Sequence, residues 1–127
     1  MPEHNVSGRV LIADDDALVR ALVRQTIEPT GMTIFEAANG REALLRAGST
    51  HIDLAILDLV MPEMDGLETM RELLRRQPGM KIIIISGALP AHYLELAGKL
   101  GAARVFAKPI PSRELLQAVS MLLGGKT

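Results

Sequence analysis

Four short apolar runs in this chain each end on residues able to do chemistry. Arg9 to Ala13 runs into Asp14-Asp15-Asp16, and Leu54 to Leu57 ends on Asp58. Lys81 to Ile85 ends on Ser86-Gly87, and Arg104 to Ala107 ends on Lys108-Pro109. Carboxylates held close together repel one another unless a cation neutralises them. A hard divalent ion with oxygen ligands does this, and Mg2+ keeps waters and leaves room for a phosphoryl group. Phosphoryl transfer asks for positioning and charge neutralisation more than for covalent help. A carboxylate can itself take the phosphoryl group as an acyl phosphate. A lysine then supplies a point charge for one phosphoryl oxygen, and a serine hydroxyl donates to another.

Each of these residues also has a plainer reading. The triple acid suits a helix N-cap and its first turn. Asp58 and Ser86-Gly87 suit turns, and Lys108 suits a surface charge at a strand end. The coincidence of four strand ends weighs against all four plain readings together, and it depends on the elements that bring those ends to one place.

Those elements follow from periodicity and punctuation. After the first strand, Ala17 to Glu28 carries Leu18, Leu22, Val23 and Ile27 at helical spacing, and Pro29-Thr30-Gly31 stops the helix. Thr33 to Ala37 is a weaker strand, expected near an edge. Asn39-Gly40 opens a helix through Arg46 that Gly48 ends. The strand ending on Asp58 leads into a loop stiffened by Pro62, and Asp65-Gly66 turns it into a helix from Gly66 to Arg76. That helix places Leu67, Met70, Leu73 and Leu74 on one face and closes at Pro78-Gly79. Further helices are expected from about Ala91 to Leu100 and from Ser112 to Leu123. Five apolar strands alternating with five helices predict an α/β fold, a parallel sheet covered on both faces. Right-handed crossovers make it doubly wound, with the first, third and fourth strands central. The carboxyl ends of parallel strands share one rim, where such sheets bind ligands.

Composition narrows the field. The chain has 127 residues, 48% hydrophobic but only 2% aromatic, so one domain with an aliphatic core is expected. A net charge of −1 offers no electrostatic footprint for nucleic acid or an anionic membrane. Without cysteine there is no disulfide or thiolate chemistry, which suits a reducing cytoplasm. No apolar run nears the roughly 20 residues of a membrane span, and the start of the chain carries no signal-peptide pattern. Residues 1–8 read as a flexible lead-in and 9–124 as the domain, with no output module expected. His4, His51 and His92 lack ligand spacing. Arg71, Arg75 and Arg76 read as a solvated helix face, and the seven methionines as core filler.

The chain from about Arg9 to Leu123 resembles the receiver domains of two-component response regulators, of the chemotaxis-regulator type. The resemblance rests on Val10-Leu11-Ile12-Ala13-Asp14-Asp15-Asp16, on Asp58-Leu59-Val60-Met61-Pro62-Glu63-Met64-Asp65-Gly66, on Ile85-Ser86-Gly87 and on Lys108-Pro109. The second of these is specific; the others gain weight from their order and spacing. Gly101-Ala102 also matches. The resemblance implies a flavodoxin-like sheet of strand order 2-1-3-4-5 and a phosphoprotein of phosphorelay signalling. Asp58 would be the phosphoacceptor. Asp15 would bind Mg2+ directly, Asp14 partly through water, and Val60 through its backbone carbonyl. Asp16 would stay outside the metal shell, at the start of the helix. Ser86 would be the switch hydroxyl and Lys108 the phosphoryl-binding lysine, joined to Pro109 by a cis bond. The implied partners are a sensor histidine kinase or phosphotransfer protein, and a downstream protein on the face of helix 4, strand 5 and helix 5. Neither nucleic acid nor membrane contact is implied. The chain would be a monomer or weak dimer in the cytoplasm, acting on no substrate beyond its own phosphorylation and dephosphorylation.

One departure stands out. The family commonly has Tyr or Phe three residues before the lysine, where this chain has Val105. Phe106 comes one place later, and strand alternation points it to the opposite face. A different class also fits some of the residues. A dehalogenase-type Mg2+-dependent phosphohydrolase would use Asp14 and Asp16, but it needs a further acidic motif after the lysine, and it leaves Asp58 unexplained. A non-phosphorylated receiver-like scaffold is the third reading, and the intact acids, Ser86 and Lys108 argue against it.

Overall fold

Apolar runs buried on both faces build the centre of the molecule. The computed structural model describes residues 8–61, 63–87 and 91–124. Five strands, β1 (Arg9–Ala13), β2 (Thr33–Ala37), β3 (Leu54–Leu57), β4 (Lys81–Ser86) and β5 (Arg104–Ala107), form one parallel sheet in the order β2-β1-β3-β4-β5. The helices are α1 (Ala17–Ile27), α2 (Gly40–Ser49), α3 (Gly66–Arg76), α4 (Ala91–Lys99) and α5 (Ser112–Val119). The sheet is doubly wound and flavodoxin-like, with β1, β3 and β4 central. Met1 to Ser7, and with them His4 and most of the lead-in, lie outside the described residues, as do Pro62, Ala88 and Pro90.

Strand alternation divides the core in two. Leu11, Ala55, Leu57, Ile82 and Ile84 face α2, α3 and α4 through Ala43, Leu44, Met70, Leu73 and Ala97. Val10, Ile12, Ile56, Ile83 and Ile85 face α1 and α5 through Val23, Ile27, Leu115 and Val119. Val105 and Phe106 separate as alternation requires, Val105 onto the first cluster and Phe106 into the second. Met32, Met61, Met70 and Met80 are buried, while Met121 is exposed. His51, His92, Arg71, Arg75 and Arg76 are exposed.

Three expectations about helices need correction. In α1 only Val23 and Ile27 are buried, with Val19 packed beside them, whereas Leu18 is 67% and Leu22 46% exposed. The sheet contacts the i, i+4, i+8 stripe that begins at Val19, and Leu18 and Leu22 lie outside it. Gly48 does not end α2, which runs through it to Ser49. A glycine costs a helix about 1 kcal/mol, and burial of Ala43, Leu44 and Ala47 offsets it. The closing helix keeps α geometry only to Val119 and widens into a π-helical turn over Ser120–Gly124.

Candidate functional site

The hydrogen-bond ladder runs one residue past β1, β3 and β5 and fixes the backbone of the rim there. Asp14 N–H donates to Ala37 O at 3.1 Å, Asp58 N–H to Ala13 O at 3.0 Å, and Lys108 N–H to Ser86 O at 2.7 Å. Asp14, Asp58 and Lys108 therefore sit on one edge with Ser86, the last residue of β4. The Lys108–Pro109 bond is cis, as expected.

The side chains converge on the lysine. Lys108 Nζ donates to Asp14 Oδ2 at 3.1 Å and to Asp58 Oδ2 at 3.2 Å. Asp14 Oδ1 accepts from Asp16 N–H at 2.9 Å, and Asp58 Oδ1 accepts from Val60 N–H at 3.1 Å. Both acids are buried, and Asp15 beside them is exposed. One carboxylate oxygen from each of Asp14, Asp15 and Asp58 lies within 4.8 Å of the other two. That is the spacing of oxygens around one hard cation, so the donor set suits Mg2+. The Val60 side chain points outward, 59% exposed.

Charge within the site follows from burial. Burial holds the Asp14 carboxyl above its usual range, with repulsion from Asp58, against the pull of the Asp16 N–H and of Lys108. Burial draws the Lys108 ammonium down, but its hydrogen bonds and charge pairing with Asp14 and Asp58 prevail and hold it above its ordinary value. Ser86 is fully buried, and its Oγ has no hydrogen-bond partner among the described residues.

The loop after Asp58 approaches too closely for any side chain at Gly66. A Cβ there would lie 2.4 Å from Asp58 O and from Leu59 Cα. Gly66 N–H donates to Leu59 O at 2.9 Å, and Asp65 caps α3 by accepting from Glu68 N–H at 2.8 Å.

Asp16 stands apart from the acid cluster. Its carboxylate caps α1, accepting from Leu18 N–H at 2.9 Å. The phosphohydrolase alternative needs Asp16 beside Asp14 at the reacting centre, and the cap takes that carboxylate elsewhere. Sequence reasoning missed Arg20, whose Nη1 donates to the Asp14 backbone carbonyl at 2.6 Å. No local signal marks it, since its other partner, Glu36, comes from β2.

A doubly wound sheet with a carboxylate, hydroxyl and ammonium rim suits a domain that handles phosphoryl groups. The response regulator receiver domain model matches residues 10–120, and the chain belongs to that family, the receiver domains of two-component signalling. It is 33% identical over 113 residues to the chemotaxis protein CheY of Thermotoga maritima, covering 88% of this chain and 94% of that one. It is 37% identical over 119 residues to protein-glutamate methylesterase/protein-glutamine glutaminase 1 of Rhodospirillum rubrum. That match covers 88% of this chain but spans only 30% of the relative's length. A CheY-like receiver domain protein from Methanospirillum hungatei superposes with a TM-score of 0.86 at 29% identity, covering 93% of this chain and 94% of that one. Among the described residues, no helix is long and apolar enough to cross a membrane.

Proposed function

We propose that this chain accepts a phosphoryl group on Asp58 from a histidine kinase or phosphotransfer protein and signals by a change of conformation. The observation that carries the reading is the single ammonium of Lys108 bonded to both Asp14 and Asp58, with the Asp15 carboxylate beside them. An Asp58 carboxylate oxygen forms a bond to phosphorus, the bond from phosphorus to the donor's imidazole nitrogen breaks, and that nitrogen leaves with the electron pair. Asp14, Asp15, Asp58 and the Val60 backbone carbonyl would hold Mg2+. Bound there, the ion supplies charge neutralisation for the phosphoryl oxygens. Lys108 would pair with one phosphoryl oxygen. The Ser86 hydroxyl would gain in another the partner it lacks.

The output would be read by a downstream protein on the face of α4, β5 and α5, with the chain a cytoplasmic monomer or weak dimer. Incubation with acetyl phosphate and MgCl2, followed by intact-mass measurement, tests the assignment. The wild type should gain one phosphoryl group and Asp58→Asn none. An undiminished gain in Asp58→Asn refutes the phosphoacceptor. Steady hydrolysis without accumulation would favour a phosphatase, and no reaction at all a scaffold.

A further inference from the structure

Arg20 of α1 stands behind the acid pair, its side chain 18% exposed. Its guanidinium makes two contacts at once, Nη1 to the Asp14 carbonyl at 2.6 Å and Nε to Glu36 Oε1 at 3.0 Å. Glu36 is held in turn by β2, in register with Ile12, and by Arg24, whose Nε donates to Oε2 at 2.7 Å.

Three features make this more than an ion pair. The Asp14 carbonyl lies one residue past β1, where the β1–β2 register has ended. A backbone carbonyl there needs another donor, and a guanidinium provides a charge-assisted one. A rigid planar fork holds a carbonyl and a carboxylate in one fixed geometry, which the compact charge on a flexible lysine stem does not impose. Third, that carbonyl belongs to the peptide group joining Asp14 to Asp15. The Asp14 side chain is fixed by its own bonds to Asp16 N–H and Lys108. Asp15 has no side-chain hydrogen bond among the described residues, so the orientation of this peptide is the constraint the structure places on where its side chain leaves the backbone.

We infer that Arg20 is a positioning residue for the metal site, orienting the Asp14–Asp15 peptide so that Asp15 faces Asp14 and Asp58. The inference rests on the reading that these three acids hold Mg2+. Glu36 aims the guanidinium, and Arg24 binds Glu36 without touching Asp14. Groups that orient the ligands of a metal without binding it commonly change affinity by about 10- to 100-fold when removed.

The test uses the full chain and MgCl2 alone, with Kd read from amide chemical shifts at the rim. Thermal unfolding in EDTA follows the fold separately. Arg20→Ala and Arg20→Lys should each weaken Mg2+ binding about tenfold. Arg20→Lys should recover stability relative to Arg20→Ala, because it keeps a cation beside Glu36, and so remains informative if Arg20→Ala folds poorly. Arg24→Ala should bind Mg2+ as the wild type does, although it also loses an ion pair to Glu36. An unchanged or tighter Kd in both Arg20 variants overturns the inference, as does equal weakening in Arg24→Ala. A wild type that ignores Mg2+, or Asp15→Asn that binds it equally well, overturns the metal reading and this inference with it.

Discussion

Asp15 owes less to the fold than the two acids beside it. Asp14 and Asp58 are buried and bonded to Lys108, whereas Asp15 is exposed and free of protein hydrogen bonds among the described residues. Its removal should therefore separate metal binding from folding. A ligand that binds only the native state at a hundred times its Kd adds about 2.7 kcal/mol. Saturating MgCl2 should raise the wild-type melting temperature accordingly. Asp15→Asn should unfold in EDTA within about 0.5 kcal/mol of wild type and gain little from MgCl2. Thermal unfolding with and without the ion checks this, and equal gains would remove Asp15 from the site. Asp14 carries the opposite cost. Its pKa is raised, so the stability tied to its protonated form is present at low pH and lost as pH rises through the native-state value. At neutral pH its ionised form must be balanced by Lys108 or a bound cation.

At the scale of elements, α1 decides how the rim is braced. Its buried stripe anchors it to the sheet and its Asp16 cap starts it beside the acids. Ile27→Ala should cost about 2–5 kcal/mol, because a fully buried side chain is lost and a cavity left. Leu18→Ala should change stability by less than about 0.5 kcal/mol, since the side chain is exposed. Urea unfolding of the two variants decides, and a Leu18→Ala cost as large as that of Ile27→Ala would refute the packing of α1. The same helix binds β2 through Glu36, whose hydrogen bonds from Arg24, and then Arg20, hold its pKa below the ordinary 4.5. A lowered carboxylate pKa gives stability that is present above the unfolded value and lost as pH falls through the native one. Wild-type stability should therefore decline from about pH 4.5 downward more steeply than that of Glu36→Gln. Parallel decline of the two in acid urea titrations would show that Glu36 does not contribute.

For the molecule as a whole, the open question is how a change at Asp58 reaches a distant face. On the proposed reading Ser86 would be the link on β4: it is buried with its hydroxyl unsatisfied among the described residues, and Gly87 follows it. Gly87 has room for backbone movement, its nearest side-chain neighbour being Lys108 Cδ at 3.9 Å from where a Cβ would stand. Val105 is too short and too stiff about χ1 to swing into vacated space as an aromatic would. The response should therefore travel by backbone shift from Ser86 towards α4, and a ligand can drive it only by its differential affinity for the two states. Beryllofluoride with MgCl2 should shift amide resonances from Ser86 to Leu94. Ser86→Ala should silence that stretch while leaving stability unchanged or raised by about 1 kcal/mol, because an unpartnered buried hydroxyl is removed. Shifts confined to Asp58 and its neighbouring acids would refute the route.

The chain's local pattern determined the strands, their centrality and the residues at their ends. A strand buried on both faces reads as a continuous apolar run, and the first polar residue after it must lie at the rim. Asp14, Asp58 and Ser86 were legible for that reason; Lys108 follows a shorter run on the edge strand β5, and strand alternation set Val105 opposite Phe106. The helical period alone left α1 ambiguous, because Leu18 and Leu22 fit an apolar stripe as well as Val19 does. Contact with the sheet chose between them. Likewise, Gly48 looked like a stop until burial of its neighbours carried the helix past it. Tertiary structure alone decided that Asp14 is buried and Asp15 exposed, that Ser86 Oγ lacks a partner among the described residues, and that Arg20 reaches the Asp14 carbonyl with Glu36 behind it. Those facts depend on groups brought together from different elements, and residues near in sequence encode a period and a turn but not the partner that packs against them.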